Sequence, residues 1–292
     1  MRMRPLTAVF FLAPAFLLYS AIVVYPTLNG LYLSLTNSTG STVGAEFIGL
    51  SNYQRMIQDV NGFIKPIITT LIYAALVTIG QTVLGLGLAV WMGKLPKIRD
   101  SARVALFTPG MLSLIIVGFV WSFIYNPLSG GLNLLLTSLG LESWTRSWLG
   151  EPGFALPAVA LVNIWMYAGH SAAIFLANYI AIPSELLESA TLEGASGWQR
   201  FWYIEWPLLA PALTINTALT LIGGLRVFEL PFVMTRGGPG DATKVLNLEI
   251  FSQAFSQSNY GYGSALTVAL LLIIFALTAI QNTFLRDREL NT

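Results

Sequence analysis

Several residue groups in this sequence have types and spacings that could do chemistry. Asn163, Tyr167, His170, Ile174 and Asn178 recur at i, i+4, i+7, i+11 and i+15, which puts all five inside one helical face about 80° wide. Rings and amides on one face suit a neutral polyhydroxylated solute, because rings cover the apolar face of a sugar and amides meet its hydroxyls. The same residue types also serve helix-to-helix hydrogen bonding. Asn216, Thr220 and Gly223 make a second stripe, and Thr78, Gln81 and Gly85 a third. Arg226 and Glu229, three apart near the outer end of a span, could form an ion pair that lines the exit or bind one another structurally.

Other chemistries are poorly supplied. With no cysteine and one histidine, the chain cannot build a thiolate or multi-histidine metal site, and His170 is expected to be hydrogen-bonded rather than a metal ligand. Gly87 to Gly93-Lys94-Leu95 is the nearest approach to a phosphate loop, but it has one residue too many between the glycines and Leu where Ser or Thr should meet magnesium. ATP is therefore not expected on this chain. Gly194-Ala195-Ser196-Gly197 resembles the Gly-x-Ser-Gly of six-span intramembrane serine proteases, with His170 as the conceivable base. Ser196, however, sits in a charged, Glu-rich loop where a helix-capping role explains it better. A stand-alone channel is the other alternative.

The elements that must position these residues follow from composition. Of 292 residues, 55% are hydrophobic and only 10% charged, against roughly 25% charged in soluble domains. Fifteen basic and fourteen acidic residues leave a net charge of +1, so no basic field exists for nucleic acid. The apolar residues gather into runs near the 20 or so residues that a bilayer span needs, at about 7–29, 67–93, 103–125, 155–181, 207–229 and 261–285. An uncleaved first span is favoured, because the apolar stretch after Arg4 runs through Val24 without a small-x-small cleavage site. Short loops rich in Lys and Arg stay cytoplasmic. With the N-terminus inside, Arg2, Arg4, Lys94, Lys97, Arg99, Arg103, Arg200, Arg286 and Arg288 fall inside, and Arg55, Lys65, Arg146, Arg236 and Lys244 outside. Both termini are thus expected in the cytoplasm. Tyr25, Trp91, Tyr125 and Trp206 read as interfacial anchors.

The loop 182–206 carries two short helical patterns. Ser184 can cap the first, Glu185 suits its positive end and Gly194 can supply the turn. Ser196 and Gln199 make a capping box for the second, and Pro207 delays entry into the fifth span. Without a partner this would be an amphipathic surface hairpin. Its residues nevertheless resemble a known motif. Glu188-Ser189-Ala190, then Glu193-Gly194-Ala195, Phe201, Ile204, Pro207 and Pro211 are similar to the EAA loop of binding-protein-dependent ABC importer permeases. Arg226 to Gly240, ending Arg236-Gly237-Gly238-Pro239-Gly240, with Ala254-Phe255 and Tyr260 to Ala265, resembles the carbohydrate-uptake branch, and more narrowly the first permease of maltose-type and glycerol-phosphate-type systems. Ser189 stands where that family usually has Ala, Glu193 where Asp is commoner, Trp206 where Leu precedes the proline and Arg236 where Gly often stands. The last two add bulk that could alter helix entry and outer contacts.

The resemblance implies an all-α polytopic membrane protein with six transmembrane helices, the type I ABC importer permease fold, as one domain over 1–292. It implies half of a pore for sugar, without enzymatic activity, in the cell's cytoplasmic membrane. A second homologous permease, two copies of a cytoplasmic ATPase that hold ATP and Mg, and a periplasmic or lipid-anchored binding protein would complete the importer. Glu188, Ser189, Ala190, Glu193, Gly194, Ala195 and Phe201 would couple to the ATPase, with Glu188 as the polar contact. Asn163, Tyr167, His170, Asn178, Asn216 and Thr220 would line the solute path. The outer segment 230–260, with Gly237, Gly238, Pro239 and Gly240, would dock the binding protein.

Overall fold

The computed structural model describes residues 5–40, 45–95, 97 and 99–289. Arg2 and Arg4, and the side chains of Arg286 and Arg288, lie outside the described residues. In chain order the helices are α1 (Phe11–Leu33), α2 (Ser51–Gln58), α3 (Lys65–Lys94), α4 (Arg99–Met111), α5 (Leu114–Ile124), α6 (Gly131–Ser138), α7 (Pro152–Tyr179), α8 (Ser184–Leu192), α9 (Gly197–Leu208), α10 (Ala210–Leu225), α11 (Glu229–Met234), α12 (Leu246–Phe251) and α13 (Tyr260–Glu289). Among the described residues there is no strand, only an isolated antiparallel bridge between Thr36 and Phe47. The fold is all-α.

Four helical stretches, Phe11–Leu33, Val60–Lys94, Pro152–Tyr179 and Tyr260–Leu285, are long and apolar enough to cross a membrane. The 28 residues of α7 reach about 42 Å at 1.5 Å per residue, well beyond the ~30 Å hydrocarbon core. The count rises to six only if each of two bent pairs is a single span. The run 103–125 is one of them. It is not a continuous helix, because α4 and α5 meet at 96° across a 3₁₀ turn at Thr108–Met111 followed by extended backbone at Leu112 and Ser113. Pro109 supplies no amide donor there. The run 207–229 also departs from expectation. α9 and α10 meet at 66°, and the helix stops at Leu225, leaving Arg226 to Phe228 outside it.

Contacts gather into two compact units, Met1–Ile64 with Glu249–Leu272 and Lys65–Leu248 with Ile273–Thr292, each described by itself. In the first, the Asn52 amide donates to the carbonyls of Ser34 and Thr36 at 2.9 and 2.8 Å. The Tyr262 hydroxyl donates to Asp59 at 2.9 Å, and the Arg55 guanidinium lies 4.1 Å over the Tyr262 ring. Polar groups thus tie the segment after α1 to the start of α13.

In the second unit α7 is the central helix, with α3, α4 and α10 packed on it. Val159, Val162, Phe175 and Leu176 are fully buried along it. Gly85 lets α3 approach closely, since an added Cβ would stand 2.5 Å from Ser171 Cβ. Gly169 does the same for α4, where a Cβ would strike the Leu106 carbonyl oxygen. Small residues thus set the helix spacing, as is usual where lipid removes most of the hydrophobic drive to associate. Tyr125 is not an exposed anchor. It is 2% exposed and donates to the Ala158 carbonyl at 3.2 Å.

Candidate functional site

A cavity of about 260 Å³ opens within the second unit. Asn163, Tyr167 and His170 reach it from α7, and Asn216 and Thr220 from α10. α3 contributes Gln81, and the segment after α10 contributes Arg226 and Glu229. The tertiary packing therefore fixes the rotation of α7, which periodicity leaves open. Five of the six residues read as a solute path meet here. Asn178 does not; its amide donates at 3.1 Å to the Ile174 carbonyl one turn back.

The amides do two jobs. Gln81 Nε2 donates to Asn163 Oδ1 at 2.9 Å, and Asn216 Nδ2 donates to Thr82 Oγ1 at 3.0 Å, so helix-to-helix bonding uses part of the polar stripe. What remains for a solute is more limited. Asn216 is 0% exposed, and its Oδ1 is buried without a partner among the described residues, an orphaned acceptor whose desolvation costs about 1–3 kcal/mol and which no solute in the cavity reaches in this arrangement. His170 makes no hydrogen bond among the described residues, contrary to expectation. Its ring instead packs against Phe107 and Tyr167, with centroids at 5.3 and 5.6 Å, and against Gly110 in the 3₁₀ turn that ends α4. Arg226 and Glu229 form no ion pair. Their i, i+3 spacing brings side chains together only on a continuous helix, and here Phe228, at φ −145°, interrupts it. Both remain exposed at the cavity, one charge of each sign.

The loop 182–206 folds as α8, a turn and α9. Pro183 occupies the cap position of α8 without a side-chain bond, so Ser184 is the first helical residue and not the cap. Glu185 lies in the first turn. Gly194, at φ +82°, makes the turn, and Ala195 N donates back to the Ala190 carbonyl at 2.9 Å. The Ser196–Gln199 capping box forms in full, with bonds of 2.8 and 3.3 Å. The Ser196 hydroxyl is thereby engaged as a cap. Glu188, Ser189, Glu193 and Gly194 are exposed, Ala190 is buried, and Ala195 and Phe201 are half-buried. Glu188 lines a shallow concavity of about 420 Å³ with Leu187, Thr191, Leu192 and Arg200.

One pair in this region was not read from the sequence. Arg200 Nε lies 3.1 Å from Glu205 Oε1, and the Glu205 side chain is 1% exposed. A spacing of five residues is off the ordinary helical pair spacings, but a π-helical turn over Phe201–Glu205 brings the two together. The only available signal was a carboxylate placed just ahead of an apolar run.

The segment 230–260 is more ordered than a loop, since it contains α11 and α12. Gly237 and Gly240 have φ of +89° and +56°. Thr243 closes the turn, with Oγ1 2.8 Å from the Gly238 carbonyl and 2.6 Å from Thr235 Oγ1. Gly237 is buried, Gly238 and Pro239 are half-buried, and Gly240 and Asp241 are exposed.

Comparison with known proteins agrees with this architecture. Residues 81–289 match the family described as binding-protein-dependent transport system inner membrane component. The chain is 34% identical to the probable ABC transporter permease protein YurN of Bacillus subtilis, over 94% of each chain. It is also 34% identical to the sulfoquinovosyl glycerol transport system permease protein SmoG of Agrobacterium fabrum, over 97% of this chain and 92% of that one. Its fold is similar to a chain in the crystal structure of a bacterial alginate ABC transporter in complex with an alginate pentasaccharide-bound periplasmic protein. The TM-score is 0.83 at 20% identity, covering 97% of this chain and 94% of that chain.

Proposed function

The chain belongs to the binding-protein-dependent transport system inner membrane components, the non-catalytic multi-pass membrane subunits of ABC transporters, and from that premise we propose that it forms half of the translocation pore of an ATP-driven sugar importer. The cavity carries this reading. The half-buried Tyr167 ring and Asn163 amide and the exposed His170, Arg226 and Glu229 border a space with one fixed charge of each sign, which suits a neutral polyhydroxylated solute better than an anion. The sulfoquinovosyl glycerol transport named for one relative supports a carbohydrate cargo, while the preference for a neutral one rests on the cavity alone, since that relative's solute carries a sulfonate.

In this proposal a second homologous permease completes the pore, two copies of a cytoplasmic ATPase hold ATP and Mg, and a periplasmic or lipid-anchored protein delivers the solute. This chain binds no cofactor of its own. Both termini and the 182–206 hairpin face the cytoplasm, as the distribution of Lys and Arg favours. Glu188 and the exposed turn at Glu193-Gly194 form a compact knob whose small residues allow close approach to the ATPase. ATP-driven closure of the ATPases then biases inward-facing and outward-facing arrangements through differential contacts.

Uptake of labelled sugars into vesicles containing the assembled transporter tests the proposal. ATP-dependent accumulation of a neutral mono- or oligosaccharide is the expected result. Accumulation restricted to amino acids or inorganic ions would overturn the sugar assignment.

A further inference from the structure

Trp198, Trp202 and Trp206 stand one turn apart along α9, with successive ring centroids 5.5 and 5.9 Å apart and planes inclined at 71° and 64°. Phe201 joins them, 5.4 Å from Trp202 and 6.4 Å from Trp206. The cluster is nonetheless open to its surroundings: Trp198 is 71% and Trp202 43% exposed, and Tyr203, next in the chain, is 80% exposed. Glu205, on the same turns, is buried against Arg200. α9 therefore buries the carboxylate of its ion pair, leaves Arg200 half-buried toward α8, and exposes an uncharged aromatic surface. The exposed charges of the hairpin, Glu185, Glu188 and Glu193, lie instead on α8 and the turn that follows it.

Large aromatic side chains with a single N–H or O–H tip partition to the headgroup layer of a membrane, where one end is apolar and the other wet. α9 runs into α10 through the 66° bend, and α10 exposes Ile215 on its outer side. An amphipathic helix joined at such an angle to an apolar helix is disposed to lie in the interface plane. We propose that the aromatic face of α9 is seated among lipid headgroups, so that lipid holds the turn at residues 193–196 at a fixed depth beside the membrane. Only the identity of the leaflet, the cytoplasmic one, rests on the orientation proposed above.

The chain contains no cysteine, so single nitroxide labels report depth without background. Labels would be placed on Trp198→Cys and Tyr203→Cys in the full chain in phospholipid vesicles, with and without the ATPase. Glu193→Cys serves as the aqueous reference and Ile215→Cys as the lipid reference. At 198 and 203, collisions with membrane-dissolved oxygen should exceed those with a water-soluble nickel chelate in the absence of ATPase, at depths between the two references. Preference for the nickel chelate at both sites would overturn the proposal, and protection appearing only on adding ATPase would assign the aromatic face to that partner instead. Reaction of Glu193→Cys with an impermeant maleimide from outside would overturn the orientation and leave the depth result standing.

Discussion

Tyr167 stands where α7 meets the cavity, beside His170 and within reach of the segment after α10. If its ring stacks on a sugar, Tyr167→Ala removes about 1 kcal/mol of binding, near fivefold in affinity. Uptake should fall and discrimination between related sugars should weaken. Lower thermal stability with unchanged preference would show that Tyr167 only packs helices. Arg200 presents a different case, because its partner is buried. Arg200→Met leaves the Glu205 charge uncompensated and should destabilise the assembled transporter by roughly 3–5 kcal/mol, whereas Arg200→Met combined with Glu205→Met should recover most of that loss. The thermal unfolding midpoints of the purified complexes measure both, and a single variant as stable as the parent would show that the pair contributes nothing.

Among the elements, α8 carries the hypothesis of coupling. Glu188→Lys inverts a charge on the exposed face that is proposed to meet the ATPase, so solute-stimulated ATP hydrolysis and ATPase binding should both fall while membrane insertion persists. Normal values of both would remove Glu188 from the contact. The spacing of α4 and α7 is set at Gly169, where the obstructing atom is the backbone oxygen of Leu106. Gly169→Ala should cost about 1–3 kcal/mol, the usual cost of overpacking. Gly87→Ala meets nothing within 4 Å and should be neutral or stabilising by up to about 1 kcal/mol. Thermal midpoints again decide. α7 and α3 were legible as helices from their long apolar runs, but the breaks at Thr108–Met111 and at Leu209 were not, because Pro and Gly also occur inside unbroken helices such as α7, which contains Pro157.

For the whole molecule the open quantity is orientation. Asp241, exposed in the turn after Pro239, should react as Asp241→Cys only from the outer side, and its labelling should slow when solute-loaded binding protein is added. Reaction from the cytoplasmic side would reverse the proposed topology, and with it the side on which the 182–206 hairpin meets its partner.

Composition and periodicity alone established an apolar helical membrane chain, the polar stripe on α7 and the capping box at Ser196, because each depends on residue type within one or a few turns. The resemblance of residues 188–211 to the EAA loop likewise rests on local order alone. Tertiary structure decided what depends on more than one element. It turned the α7 stripe toward α3 and α10, where part of it was consumed in bonds to Gln81. It also separated Arg226 from Glu229 by ending α10 at Leu225, and joined Arg200 to Glu205 through a π-helical turn. A helix's sequence states which residues share a face, but only the neighbours that bury that face determine which way it points.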